Sequence, residues 1–314
     1  MPPARALALA ATLAAAALQA APAARAASPH APARPGSEAA QPTPGAASPA
    51  PARRVVSLNP SLTAILVALG ARDALVGVDS FSLRQEPAAA GLPAVGGLYN
   101  PSLEAVVALA PDLVVFVPSA EQRDFIRSLE ALGLPVLALG PVSFDEVLGA
   151  IETLGARVGR AEAARARVEA IRAARRDVEA RAARRPRVRA VLVLQRDPLF
   201  VIGRGSFVDE ILESAGAENL GRVFAEPYPR VGREWLLAAA PEVLLDASGE
   251  GGAEDARRFW ARWPSLPAVR DERVVTLDPG AVTLPGPWLD RGLLLLERAL
   301  AAPRARGADG AGAP

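Results

Sequence analysis

The 314-residue sequence contains no cysteine, no lysine and a single histidine, His30. Without cysteine there is no thiol nucleophile, no thiolate metal site and no disulfide. The fold must then be held by its core alone, which a chain of this length can do. One histidine excludes a histidine-based catalytic triad and a poly-histidine metal cage, and His30 sits in a Pro/Ala-rich stretch. No intrinsic metal or other cofactor is expected. Every basic side chain is arginine, which reads as the bias of a GC-rich genome. Charge of one sign is also missing. The formal net charge is only +1, so there is no cationic excess to hold a polyanion, and nucleic acid is not an expected partner. No G-x-S-x-G and no Walker motif is present, and Gly203-Arg204-Gly205 is a lone turn rather than a dinucleotide fingerprint. The chain is therefore not expected to be an enzyme. Aromatic residues are scarce as well, with 8 Phe, 4 Trp and 2 Tyr.

What is present is apolar: 51% of residues are hydrophobic and 22% charged, enough to bury a sizeable core. Residues 1–26 read as a signal peptide, with Arg5 ahead of the apolar run Ala6–Ala17 and an A-x-A site at Ala24-Arg25-Ala26. Cleavage is expected before Ala27, which places the mature protein in a periplasm. With no cysteine at the cleavage site, no lipid anchor is expected. Residues 27–52, rich in Pro, Ala, Ser and Gly, are expected to be a disordered linker, and 303–314 a disordered tail.

Between them strands alternate with helices. Val55–Leu58 predicts a buried strand. Asn59-Pro60-Ser61 opens a helix with Ser61 as its expected N-cap, and Gly70 ends it. Strands follow at Leu75–Val78, Leu113–Val117 and Pro135–Leu139, with helices at 103–110 and 121–132. These define a first lobe, 53–142. Ser143-Phe-Asp-Glu146 is a capping box for a helix to about Arg157, and Ala161–Arg185 has helical spacing of Val168, Ile171 and Val178. At 1.5 Å per residue that helix reaches about 37 Å, so 143–186 is expected to carry a rigid interdomain helix. A second lobe, 187–302, repeats the alternation with strands at Val188–Leu194, Val243–Asp246 and Arg273–Leu277 and helices at Phe207–Ala215, Glu234–Ala240 and Leu289–Leu300. The expected fold class is α/β: two Rossmann-like lobes with parallel sheets, joined by a long α-helix, with a ligand cleft between the lobes.

The repeat is visible in the residues themselves. Glu104-Ala-Val-Val-Ala-Leu-Ala-Pro111-Asp-Leu-Val-Val aligns with Glu234-Trp-Leu-Leu-Ala-Ala-Ala-Pro241-Glu-Val-Leu-Leu, a helix start, a proline stop and an apolar strand in each copy.

Three stretches together carry a family resemblance: Arg54-Val-Val-Ser-Leu-Asn-Pro-Ser-Leu-Thr, then Val76-Gly-Val-Asp, then Ser102-Leu-Glu-Ala-Val-Val-Ala-Leu-Ala-Pro-Asp-Leu-Val. Over roughly 54–300 the chain resembles the helical-backbone (class III) periplasmic binding proteins of ABC importers for cobalamin, ferric siderophores and haem. Pro227-Tyr-Pro-Arg-Val-Gly-Arg-Glu-Trp-Leu-Leu is most similar to the cobalamin-binding branch. The resemblance implies a monomeric receptor that works with permease transmembrane subunits and their ATPase subunits. It implies that Glu104 and Glu234 dock the permease through its arginines. It also implies a ligand cleft lined by Phe81, Leu98, Tyr99, Phe200 and Tyr228. Many relatives carry an Arg-x-x-Pro-Arg element before the last helix. This chain has Leu284-Pro-Gly-Pro-Trp288, which lacks both arginines and adds Trp288 as a further ligand candidate. That loss argues for a bulky, mostly neutral corrinoid over a carboxylate or catecholate siderophore. An iron chelate, whether ferric siderophore or haem, and a sensing adaptor on the same fold are the alternatives.

Overall fold

Strand β1, Val55–Ser57, is fully buried and pairs in parallel on both edges, which explains why it reads as an unbroken apolar run rather than an alternating one. The computed structural model describes residues 50–301. The expected signal peptide, nearly all of the linker and the tail lie outside the described residues. In the first lobe β1 is followed by α1 (Pro60–Ala68), β2 (Leu75–Val78), α2 (Ser80–Gln85), α3 (Leu103–Ala108), β3 (Leu113–Phe116), α4 (Arg123–Ala131) and β4 (Val136–Ala138). Its sheet has the order β2-β1-β3-β4, all parallel. The cap of α1 differs from the expectation. Asn59 rather than Ser61 is the N-cap, its side chain accepting from the Ser61 amide at 2.9 Å, and Pro60 takes the first helical position, where a missing N–H is harmless. Gly70 ends the helix with φ +71°.

Helices α5 (Phe144–Arg157) and α6 (Ala161–Ala182) connect the lobes. Both halves of the expected capping box at Ser143 and Glu146 form. The long helix has 22 residues, about 33 Å. It does not stand alone. A Cβ on Gly155 of α5 would lie 2.4 Å from the Ala164 Cβ, so only glycine lets α5 and α6 approach this closely.

The second lobe comprises β5 (Val188–Arg196), β6 (Leu199–Val201), α7 (Phe207–Ser214), β7 (Ala217–Asn219), α8 (Arg233–Ala239), β8 (Val243–Asp246), α9 (Ala253–Trp260), α10 (Pro267–Arg270), β9 (Val274–Thr276), α11 (Pro279–Val282) and α12 (Leu289–Ala301). Strand β5 is paired along one edge by β8. Along the other it is paired first by parallel β7 and then by antiparallel β6. One continuous apolar core runs from Val55 through Leu148, Ile151 and Ile171 to Leu300, so the connecting helices join the lobes by packing as well as by sequence. A smaller cluster covers the other face of each sheet.

The repeat extends to register. Val55 pairs with Leu113 in the first sheet and Ala190 with Val243 in the second, so Arg54 and Arg189 are equivalent. Each sends its guanidinium to the C-terminal carbonyls of the equivalent helix. Arg54 donates to Leu109 O at 2.6 Å and Ala110 O at 3.0 Å, and Arg189 to Ala239 O at 2.7 Å. Both helices end on a left-handed alanine, Ala110 at φ 44° and Ala240 at φ 46°, where glycine would be the unstrained choice.

Candidate functional site

Ligands of doubly wound sheets bind outside the carboxyl ends of the strands. In the first lobe these ends are tied by a buried polar network. Asp79, just after β2, has its side chain fully buried and caps α2 by accepting from the Phe81 amide at 2.8 Å and the Ser82 amide at 3.0 Å. It also takes the Ser82 hydroxyl, and Ser82 meets Thr63, which donates to Ser57 at 2.8 Å. Burial pushes the Asp79 carboxyl above its ordinary range, and the Ser82 and Phe81 hydrogen bonds pull it partly back. In the second lobe Asp246 ends β8 and collects Arg196 Nε at 2.8 Å, Trp260 Nε1 at 2.7 Å and the Ser248 hydroxyl at 2.7 Å. Both networks fix the loops that leave the strands. Neither was legible as a pattern in the sequence, because their members are dispersed and meet only through the sheet.

Five of the six expected ligand residues lie beside these ends. Phe81 starts α2, half-buried, with the Arg84 guanidinium 4.3 Å from its ring. Leu98 and Tyr99 are half-buried in the loop before α3, and the Leu98 carbonyl accepts from Gln122 Nε2. Phe200 is 6% exposed in β6 and belongs to the core. Tyr228 packs against that core, and an antiparallel bridge between Phe200 and Arg230 brings the two aromatic positions together. Burial pushes the Tyr228 phenol up to about 12 even though it bonds Ser206. Trp288 sits apart from them, before α12. The loop it belongs to reaches the first lobe: a Cβ on Gly286 would be 3.8 Å from Ser61 O, at the start of α1.

The structure also returns cations to the loop that lost them. Arg291 Cζ lies 4.0 Å and Arg167 Cζ 5.0 Å from the centroid of the Trp288 ring, one from α12 and one from α6. Arg167 is neutralised by Asp290 and bonds Pro287 O, whereas Arg291 has no ion pair among the described residues. Spacing in the sequence could not reveal this, since Arg167 is more than a hundred positions from the loop it joins.

Glu104 and Glu234 occupy the first turns of α3 and α8. Both are exposed, and neither has a hydrogen-bond or ion-pair partner among the described residues. Arg233, beside Glu234, turns instead to Asp197 at 3.6 Å. Since Arg54 and Arg189 hold the far ends of these helices at the amino edges of the sheets, the first turns that carry the two glutamates lie on the carboxyl-edge side.

Two doubly wound lobes on a helical backbone, with polar and aromatic loops gathered at the strand ends, define a receptor for a diffusible ligand. The chain belongs to the periplasmic binding protein family, whose pattern matches residues 55–281. It is similar to the vitamin B12-binding protein of Salmonella paratyphi A, 28% identical over 218 residues that cover 69% of this chain and 81% of that protein. Among solved structures it is similar to a periplasmic heme-binding protein from Pseudomonas aeruginosa, with TM-score 0.69 and 31% identity over 79% of this chain and 92% of that one. It is also similar to the periplasmic vitamin B12-binding protein of Vibrio cholerae, with TM-score 0.68 and 25% identity over 80% of this chain and 97% of that one. The protein is thus a binding protein of the ABC importer type, not an enzyme. No helix among the described residues is long and apolar enough to cross a membrane.

Proposed function

We propose that this protein captures a cobalamin-like corrinoid in the periplasm and delivers it to the two-fold permease of an ABC importer, docking through Glu104 and Glu234. The observation that carries the docking half is the pair of exposed, unpartnered carboxylates at equivalent positions of the two lobes. The similarity to vitamin B12-binding proteins supports the ligand half. So do the half-buried rings of Phe81, Tyr99 and Tyr228 near the strand ends and Trp288 before α12, since flat rings suit a large macrocycle.

A second reading, haem or another iron chelate, is favoured by the similarity to a heme-binding protein and by the unpaired Arg291 beside Trp288, a partner for an anionic group. Purification from the native periplasm, followed by a visible spectrum and mass spectrometry of whatever stays bound, tests the proposal. Corrinoid bands and mass are expected; a Soret band or a ferric chelate would transfer the assignment to the second reading.

A further inference from the structure

Six large hydrophobic side chains are exposed among the described residues: Val107, Leu132, Val142, Val223, Leu237 and Leu294. Single exposed aliphatics are ordinary and need no explanation. Val107 and Leu237 are different because they occupy the same position of the two repeats, each three residues after its glutamate. Residues at i and i+3 share a helix face, and the next member of that face, Ala108 or Ala238, is also exposed. The solvent side of both helices therefore shares glutamate, large aliphatic and alanine, and α8 adds the exposed Arg233, which is turned to Asp197. Val107 and Leu237 are not there to complete the core. Their neighbours Val106 and Leu236 turn inward and are buried. The backbone presenting each face is built alike, with an arginine on the terminal carbonyls and a left-handed alanine at the end. In the second lobe Leu237 also edges a small apolar notch lined by Leu199, Arg233, Phe259 and Trp263.

We infer that Val107 and Leu237 are contact residues, the apolar halves of a duplicated docking surface. Its partner is the importer permease, which presents twice, about a two-fold axis, a cationic side chain beside an apolar hollow. This rests on the receptor function proposed above and adds to its glutamates. A patch repeated on two lobes of one chain is matched by one surface shown twice. A carboxylate without an intramolecular partner asks for a cation. An aliphatic neighbour that excludes water lowers the local dielectric and strengthens that charge pair.

The test uses the full-length protein and the same organism's permease–ATPase complex in nanodiscs. Association is measured on a sensor surface for the parent, for the V107S/L237S variant and for the E104A/E234A variant. Melting temperature and binding of cyanocobalamin and hemin serve as controls. The apolar variant should melt like the parent, bind the same probe equally well, and associate with the complex at least tenfold more weakly at both low and high salt. The acidic variant should lose association in a salt-dependent way, because only the charge pair is screened. If the apolar variant stays within twofold of the parent while the acidic one is weakened, the inference falls and the docking role of the glutamates stands. If the apolar variant alone is weakened, the surface is real and the glutamate assignment falls. If neither is weakened, or the parent does not associate, both fall. A parent that dimerises and an apolar variant that is monomeric would assign the face to a second copy of the chain and overturn the proposal.

Discussion

At the scale of single residues, desolvation sets Tyr228 apart. A phenol pushed up to about 12 by burial keeps its proton in the folded state when an exposed one would lose it. The sign follows directly. The folded pKa lies above the unfolded value, so the stabilisation is complete below about pH 10 and is lost as pH rises through about 12. In the Tyr99→Phe variant only one tyrosine remains, and its absorbance titration should have a midpoint near 12 while the far-ultraviolet signal stays native. A midpoint near 10 would show an exposed phenol. The arginine and alanine pairs give a second residue-scale prediction. Ala110→Gly and Ala240→Gly should each stabilise by about 0.5–1 kcal/mol, since glycine relieves the positive φ. Arg54→Ala should destabilise by about 1 kcal/mol through its lost carbonyl contacts. Urea midpoints at unchanged m-value check both, and a destabilised Ala110→Gly would contradict the strained end. These features were hidden in the sequence. Ala110 and Ala240 read as ordinary helix residues, and only the sheet register pairs Arg54 with Arg189.

At the scale of elements, the long helix is a braced strut. Glu297 of α12 accepts Arg181 Nε at 2.8 Å and Nη2 at 2.7 Å, and Arg167 pairs with Asp290 near the other end of α6. The Arg181 hydrogen bonds hold the Glu297 carboxyl below its ordinary range. A depressed carboxylate contributes stability that is present above its unfolded pKa and lost as pH falls through the folded one. Glu297→Gln should therefore lose stability at neutral pH and flatten the acid-side decline, read as urea midpoints from about pH 6 down to about pH 3. An unchanged slope would mean that the pair carries no linkage.

Much of this element level was legible. The strands Leu75–Val78 and Val243–Asp246 lie where their apolar runs placed them, and so does the capped helix from Phe144 to Arg157. Not legible were α2, β6, β7, α9, α10 and α11. Each is short, and α2 buries only the polar Ser82 while α9 buries only Ala256 and Trp260, so neither shows a clear apolar stripe. Asn59 displaced Ser61 as a cap because the proline between them already has the fixed φ of a first helical residue. Beyond a loop or two, the site was legible only through family likeness. The residues at the strand ends come from segments that no local periodicity connects, and the arginines on Trp288 came from two different helices.

At the scale of the whole molecule, one apolar core spans both lobes and the connecting helices, and a large hinge motion would have to break its contacts. Titration calorimetry of the ligand-free, full-length protein with cyanocobalamin, alongside hemin as the competing probe, tests the proposed corrinoid assignment most directly. The account predicts saturable one-to-one binding of cyanocobalamin, sub-micromolar and at least a hundredfold tighter than hemin. Sub-micromolar hemin binding with no detectable heat from cyanocobalamin would contradict it.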